Sequence, residues 1–258
     1  MHLELDEFAD RDSPLHRWDP RYKLAGLALI LFAFSFVTDL RLLPAMGAAA
    51  AAICILSRLP AGFFWRRMRY PGFFLLMLAV ILPLFTGETV LLRLGPLAVR
   101  QEGLMHLLLV AGKFVCILLV SLVLFGTARF LTTVRAMRHL GLPEALVDMA
   151  LFSYRYIFKI GDDLRRMQTA TTLRGFQSRN PRAMGTLAAL AGSLLVRSYE
   201  QTDRVYRAMI LRGYGEPTRT PDEFTARPAD RVGLALAALA AAAIVAADAL
   251  LRQSGGMA

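Results

Sequence analysis

The residues whose type and spacing most suggest a function are two arginines in a repeated motif. The sequence reads Leu-Arg-Gly-Phe at 173–176 and Leu-Arg-Gly-Tyr at 211–214, and the same register also aligns Ala170 with Ala208. Glycine just beyond a helix tolerates the left-handed conformation, and arginine in the last turn complements the negative end of the helix dipole. Two ordinary helix caps are one interpretation, but a match at one fixed offset favours a shared function. The motif residues are Leu173, Arg174, Gly175, Phe176, Leu211, Arg212, Gly213 and Tyr214, preceded by the matching arginines Arg166 and Arg204.

A lysine inside an apolar segment is the second feature that could carry chemistry. Lys113 lies in "GLMHLLLVAGKFVCILLVSL", with His106 seven residues earlier and therefore on a similar helical face. A charge at bilayer depth costs about 2.5–3.5 kcal/mol on insertion scales and is usually buried within a helix bundle. A protonated lysine would repel a divalent cation, and a single histidine supplies too few ligands for a metal site. We therefore expect Lys113 to make a structural or coupling contact.

The remaining residues that could hold a metal or a nucleotide are scattered. Gly112-Lys113 lacks the upstream glycine spacing and the following Ser or Thr of a phosphate loop. The other three histidines, His2, His16 and His139, show no metal-ligand spacing. The two cysteines, Cys54 and Cys116, lie in different apolar segments. The sequence predicts no metal site, no bound cofactor and no catalytic residue.

Five apolar segments must position these residues. The chain has 258 residues, is 56% hydrophobic and has a mean hydropathy of +0.46, which is too apolar for an ordinary soluble domain. Several segments approach the roughly 20 residues that cross a bilayer. The sequence therefore predicts an all-α integral membrane protein with about five transmembrane helices, at Lys23–Leu40, Leu42–Ser57, Tyr70–Gly87, Leu104–Thr127 and Gly233–Leu251.

The chain has a net charge of +10, and the distribution of its basic residues indicates the membrane topology. Four arginines fill the link between the second and third segments, whereas the first link has only Arg41. Residues 128–231 contain seventeen Lys and Arg against ten Asp and Glu. The positive-inside rule puts this region and the N-terminus in the cytoplasm. The same placement argues against a nucleic-acid role.

A helical region of about a hundred residues precedes the last apolar segment. It begins with a short amphipathic helix that ends at Gly141. A second helix is expected from Pro143 to about Arg174, and a third from about Pro181 to Arg212, each ending in Arg-Gly. The predicted division is 1–127 for the N-terminus and four spans, 128–228 for this helical region, and 229–258 for the last span and tail.

Three smaller elements carry local expectations. Alternation around Gly95-Pro96 predicts a short hairpin. Asp19-Pro20 suits a helix start, with Arg21 and Lys23 expected at the inner membrane edge. Asp163 either forms pairs within its own helix or positions that helix against a partner.

Three segments together resemble one known family. "SPLHRWDPRYKL", "YRYIFKIGDDLRRMQTATTLRGF" and "RSYEQTDRVYRAMILRGYG" look like the CbiQ family, the transmembrane T components of energy-coupling factor (ECF) transporters in the cobalt and nickel branch. The resemblance covers essentially the whole chain. The family motif is usually Ala-Arg-Gly, and both copies here read Leu-Arg-Gly, so the arginine and glycine are retained.

The resemblance implies a transporter subunit that does no catalysis of its own. Two cytoplasmic CbiO-like ATPase subunits would each receive one motif in a groove, where Arg174 or Arg212 would pair with acidic groups. Gly175 and Gly213 would let the chain turn away at close approach, and Phe176 and Tyr214 would fill apolar surface. Asp163, Arg166, Arg204 and Lys113 would support coupling or packing. A CbiM-like substrate-binding membrane subunit, with a small CbiN-like protein, would complete a complex in the bacterial inner membrane.

The resemblance also implies a substrate and leaves alternatives open. Cobalt is the expected ion, in the context of cobalamin biosynthesis, with nickel next. A T component of a vitamin ECF transporter is one alternative. An integral-membrane enzyme would need clustered His, Asp or Glu at the membrane surface, and a self-sufficient carrier would need polar residues in several spans. The sequence contains neither pattern.

Overall fold

The described part of the chain forms eight α-helices and one two-stranded antiparallel sheet. The computed structural model describes residues 13–85, 90–94, 97–176, 183–215, 224 and 226–255. By packing, residues 143–223 form one unit and residues 2–142 with 224–258 form the other. The elements are α1 Pro20–Phe36, α2 Leu43–Ser57 after a 3-10 turn at Leu40–Leu42, α3 Ala61–Phe85, β1 Val90–Leu94, β2 Leu97–Arg100, α4 Gln101–Gly126, α5 Phe130–His139, α6 Glu144–Leu173, α7 Ala183–Ile210 and α8 Pro228–Gly255.

Helix α1 lies at the centre of the larger unit, where it packs against α4, α5 and α8. One of its faces is buried, and Phe34 is fully enclosed beside Met46 of α2 and Val120 of α4. Its opposite face carries Phe32 and Phe36, which are two-thirds exposed. Apolar side chains on both faces are expected where the surrounding solvent is hydrocarbon.

Three of the five predicted spans are long and apolar enough to cross a membrane. Within the described residues these are Leu40–Ser57, Gln101–Gly126 and Pro228–Gln253. Helix α1 has only 17 residues. The N-terminal half of α3 carries Arg66, Arg67 and Arg69. The chain is thus a multi-pass helical membrane protein, and spans at α1 and α3 stay predictions.

The N-terminal element confirms the predicted start of α1. Asp19 caps the helix by accepting a 2.9 Å hydrogen bond from the backbone N–H of Arg21, with Pro20 in the first turn. The Trp18 indole donates to the Asp230 carbonyl at 3.2 Å. A β-carbon at Gly26 or Gly233 would come within 3.1 or 3.0 Å of the Trp18 ring, so both positions need glycine for the ring to fit.

Lys23, which was expected at the inner membrane edge, points into the bundle. Its side chain is 2% exposed. The ammonium donates to the Leu15 carbonyl at 3.3 Å and to the carbonyl and hydroxyl of Thr127 at 3.0 and 3.3 Å. Lys23 faces inward because the N-terminal element and the end of α4 offer it a set of oxygen acceptors, which satisfies a buried charge. It joins three segments at one end of the bundle.

The hairpin and α5 lie in the same unit as the bundle. The predicted hairpin is confirmed, since β1 pairs antiparallel with β2 and Leu94 is opposite Leu97. Helix α5 buries Thr133, Val134 and Ala136 and packs against α1. The domain limits at residues 127 and 228 stay predictions. That division assigned α5 to the helical region 128–228, whereas packing places α5 in the same unit as the bundle.

The second unit contains the two longest helices of the region between the spans. Helix α6 has 30 residues and α7 has 28, so they are roughly 45 and 42 Å long at 1.5 Å per residue. They confirm the two predicted helices to within about two residues at the described ends. Each has many exposed apolar side chains, among them Met149, Ile157, Leu195 and Tyr199.

Candidate coupling site

The first Leu-Arg-Gly segment forms a Schellman ending on α6. Arg174 is the C-cap, and Gly175 follows with φ +85°. The N–H of Phe176 donates to the Thr171 carbonyl at 3.3 Å, and the N–H of Gly175 donates to the Thr172 carbonyl at 3.0 Å. These are the two backbone bonds that define the motif.

The second segment forms the same ending on α7. Gly213 has φ +81°. The N–H of Tyr214 donates to the Met209 carbonyl at 3.0 Å, and the N–H of Gly213 donates to the Ile210 carbonyl, also at 3.0 Å. The two segments therefore have one backbone conformation as well as one sequence, which confirms the predicted left-handed glycines.

Both endings present the same side chains outward. Leu173 is 84% exposed and Leu211 is 87% exposed. Arg174 and Arg212 are exposed, and among the residues that the structure describes neither guanidinium makes a hydrogen bond or an ion pair. A leucine this exposed beside an unused guanidinium is not needed to hold its own helix. The pair offers one apolar and one charge-assisted contact to something outside the chain.

A third helix ending shows that arginine is not required for this cap. At the end of α5, the N–H of Leu142 donates to Met137 and that of Gly141 to Arg138, with φ +99° at Gly141. This is again a Schellman ending, but Leu140 occupies the place of the arginine. Helix capping therefore accounts for the glycines, whereas it leaves the two arginines unexplained.

The two endings lie at opposite ends of an antiparallel helix pair. Asp163 of α6 is 4.0 Å from the Arg197 guanidinium of α7, and Asp148 accepts a 2.9 Å hydrogen bond from the Tyr214 hydroxyl. The residue numbers fall along α6 as they rise along α7, so the two helices run antiparallel. Since Tyr214 lies beside Asp148, and Arg174 follows 26 residues later on α6, the endings are roughly 40 Å apart at 1.5 Å per residue.

The contact of Tyr214 distinguishes the endings and was not anticipated from the sequence. Its hydrogen bond to Asp148 raises the pKa of the Tyr214 phenol, with desolvation as the next cause. Phe176 has no hydroxyl, so the α6 ending has no equivalent anchor. Asp148 gives no sequence signal because its partner is 66 residues away, and the role of Asp163 as an interhelical contact likewise depends on Arg197.

The upstream arginines of the repeat are also exposed. The Arg204 guanidinium lies 3.8 Å from the Glu200 carboxylate one turn before it, and within the described residues the Arg166 guanidinium makes no hydrogen bond or ion pair. Surface pairs of this kind contribute little to stability. The structure therefore places Arg166 and Arg204 on the helix surfaces before the two endings, and their support of coupling or packing stays a prediction.

Lys113 lies elsewhere, at the C-terminal end of α1. Its ammonium donates to the carbonyls of Ser35 and Val37 at 2.7 and 2.6 Å. Beside it, Asp248 accepts from the N–H groups of Thr38 and Asp39 at 2.9 and 3.1 Å and pairs with Arg252 at 2.6 Å. Through Lys113 and Asp248, α4 and α8 both contact the end of α1. His106 is exposed and is not part of this cluster.

No group of three or more His, Cys, Asp or Glu within the described ranges has the arrangement of a metal site. Cys54 and Cys116 are both free thiols. His16, the only histidine of the N-terminal element in the described part, lies 2.6 Å from the Ser13 hydroxyl through Nδ1. Its contact is local and structural.

Comparison with known proteins gives consistent matches over most of the chain. The family model CbiQ, described as cobalt transport protein, matches residues 11–221. The energy-coupling factor transporter transmembrane protein EcfT of Heliobacterium modesticaldum is 24% identical over 82% of this chain and 84% of its own length. The proteins of the same name are 26% identical in Leuconostoc gelidum, over 82% and 84%, and 26% identical in Limosilactobacillus fermentum, over 89% and 91%.

Proposed function

Because this chain belongs to the CbiQ family of cobalt transport proteins, we propose that it is the transmembrane coupling subunit of an ECF-type importer. Its role is to transmit the movement of partner ATPases to a separate substrate-binding membrane subunit. The relatives named as ECF transporter transmembrane proteins support this role. The chain itself is proposed to perform no catalysis.

One observation carries the proposal: the same exposed Leu-Arg-Gly ending occurs twice, at opposite ends of an antiparallel helix pair. A dimer of ATPase subunits offers two equivalent grooves, and a single asymmetric chain can fill both only with two copies of one contact. The separation of roughly 40 Å, from the helix rise, gives each ending its own subunit. The conformation shared by Gly175 and Gly213 presents each arginine in the same way.

Each side chain of an ending has a distinct part in this contact. Arg174 and Arg212 pair with carboxylates of the ATPase grooves through charge-assisted hydrogen bonds, which contribute about 1.5–3 kcal/mol each. Leu173 and Leu211 supply apolar area beside the ion pair, and Phe176 and Tyr214 pack against the groove wall. Closure of the ATPase dimer on ATP then moves α6 and α7 relative to each other.

The proposed substrate is a divalent transition metal ion, with cobalt first and nickel second. The description of the matching family supports cobalt. The printed names of the relatives give only the ECF transporter, so a vitamin transporter is the second candidate. The proposed partners are two CbiO-like ATPases and a CbiM-like subunit, with a CbiN-like accessory protein. The basic residues around 58–69 and 128–231 favour a cytoplasmic N-terminus in the inner membrane.

The experiment that tests this function is purification of the tagged full chain from its native host, with identification of the bound subunits. We expect two ATPase subunits and one membrane substrate-binding protein. The same complex in vesicles should take up cobalt with ATP inside, and a matched vesicle with a non-hydrolysable nucleotide is the control. Recovery without any ATPase would contradict the proposal.

We predict that the purified chain alone binds no Co²⁺ or Ni²⁺ tightly, because no ligand cluster occurs among the described residues and because selectivity is proposed to belong to the partner. Isothermal calorimetry at micromolar protein is the measurement. Stoichiometric submicromolar binding would show that a metal site exists in this chain.

We expect Lys113→Met to retain the ATPases but to loosen the bundle. The variant removes the two carbonyl contacts at the end of α1, which are remote in sequence from both Leu-Arg-Gly endings. The thermal midpoint in detergent should therefore fall while ATPase co-purification is unchanged. Loss of the ATPases from a correctly inserted variant would contradict the assignment of the coupling site.

A further inference from the structure

The chain passes between its two units at two crossings. Residues 2–142 and 224–258 belong to the larger unit, so the chain leaves that unit after Leu142 and returns to it at Phe224. The segment in between carries α6, α7 and both Leu-Arg-Gly endings. Along the chain, movement of these helices therefore reaches the bundle only at these two crossings.

The aromatic ring of Phe224 ties the two crossings together. It meets the imidazole of His139, the last residue of α5, in an edge-to-face contact with centroids 5.9 Å apart and an interplanar angle of 84°. The guanidinium of Arg21, in the first turn of α1, lies over the same ring at 4.7 Å from its centroid. One half-buried ring thus joins the end of the outgoing helix, the returning chain and the start of α1.

Buried polar side chains fasten both crossings to the same end of α1. Lys23 of α1 donates to the carbonyl and hydroxyl of Thr127, which lies between α4 and α5. On the return side, Asp230 in the first turn of α8 accepts from the N–H of Asp19 at 3.2 Å and from the N–H of Arg227 at 2.8 Å. Lys23, Thr127, Asp19 and Asp230 are all buried. A buried polar network holds one geometry, because displacement of a partner leaves a polar group unsatisfied.

We propose that the Phe224 clamp, formed by Phe224, His139 and Arg21, is the point at which movement of the coupling helices enters the bundle, an inference that rests on the proposed function. Because α5 packs against α1 and the clamp attaches both crossings to the first turn of α1, displacement of either crossing moves α1. Helix α1 packs against α4 and α8, which are two of the candidate spans. Phe224 is therefore a positioning residue that acts through α1 and α5.

Hydrogen exchange of the purified full chain in detergent tests the clamp without any ATPase. In Phe224→Ala we expect amide exchange to become several-fold faster in α5 and in the first turn of α1, because both lose the ring that joins them. Phe224→Tyr keeps the ring and should exchange like the wild type. The matched control is Phe74→Ala, since Phe74 and Phe114 form a ring pair with the same 5.9 Å separation between α3 and α4. It should leave exchange in both regions unchanged.

The ratio of metal uptake to ATP hydrolysis in vesicles tests transmission through the clamp. In the complete complex, Phe224→Ala should retain the ATPases and their hydrolysis, because both endings are unaltered, whereas uptake per ATP hydrolysed should fall several-fold. Phe224→Tyr should have the wild-type ratio. Phe224→Leu, which keeps apolar volume without a ring, should have the low ratio. A residue that only held the fold would lower the amount of complex and leave this ratio unchanged.

Wild-type exchange in Phe224→Ala would overturn the clamp itself, whatever the function of the chain. Faster exchange with an unchanged ratio of uptake to hydrolysis would overturn transmission through it. An equal fall of the ratio in Phe74→Ala would also overturn the proposal, since the effect would then be general loosening of the bundle. Absence of ATPases from the wild-type complex would instead contradict the proposed function, and the exchange measurement would still decide whether the clamp exists.

Discussion

The double variant Arg174→Glu/Arg212→Glu is expected to release the ATPases while the chain still inserts in the membrane. Removal of one charge-assisted contact costs about 1.5–3 kcal/mol, which is a 10- to 150-fold loss at that groove. Reversal also places like charges face to face, so the loss should exceed that of truncation to alanine. The measurement is co-purification of the ATPases together with metal uptake in vesicles.

Each single variant is expected to retain detectable ATPase association and to lose transport. The remaining ending keeps the ATPase dimer tethered, at an effective concentration near the vacated groove that can reach about millimolar. Movement would then reach only one of the two helices α6 and α7. If a single variant lost as much ATPase association as the double variant, the proposal that the two endings make independent contacts would be contradicted.

Two controls separate docking from capping and from general charge. Arg174→Leu/Arg212→Leu preserves the Schellman endings, because α5 already forms this cap with Leu140, and it should still release the ATPases. Arg166→Glu/Arg204→Glu makes the same charge change about 12 Å earlier on each helix, and we expect association to be retained. If a double variant at positions 174 and 212 retained the ATPases and transported metal like the wild type, the two Leu-Arg-Gly endings would be helix caps only.

Asp248→Ala is expected to be the most destabilising single change in the bundle. Asp248 is 4% exposed and holds the N–H groups of Thr38 and Asp39 as well as Arg252. Arg252 is half exposed, so the cost comes mainly from the hydrogen bonds to the buried carboxylate, which contribute about 1.5–3 kcal/mol each. The thermal midpoint in detergent should fall sharply, because the end of α1 loses its connection to α8.

Asp248→Asn is the matched variant for that change. The amide keeps an oxygen for Thr38 and Asp39 and removes only the charge opposite Arg252, so the midpoint should fall less than in Asp248→Ala. If both Asp248→Ala and Asp248→Asn had the thermal midpoint of the wild type, α8 would not hold α1 through this cluster. ATPase binding should be retained in both, since the cluster is distinct from the coupling endings.

The limits of α6 and α7 were predictable from the sequence because they depend on local physics, whereas α3 begins at Ala61, nine residues before the predicted Tyr70. The lack of breaks between Pro143 and Arg174 and between Pro181 and Arg212 predicted α6 and α7, and the Arg-Gly at each end agrees with the observed backbone caps. The antiparallel pairing of β1 with β2 agrees with the predicted hairpin, and residues 95 and 96 lie outside the described ranges. Glycine conformations were predictable because a left-handed residue after a helix has few alternatives.

The sequence by itself determined that the chain is a helical membrane protein and that the same helix ending is made twice. Only the tertiary structure decided where those endings lie, that Tyr214 reaches Asp148, and that Lys23 is buried instead of facing the membrane edge. The contacts responsible join residues 66 apart for Tyr214 and 104 apart for Lys23 and Thr127. Periodicity and capping act within a few residues, so they carry no information about which distant carbonyl or carboxylate a side chain will meet.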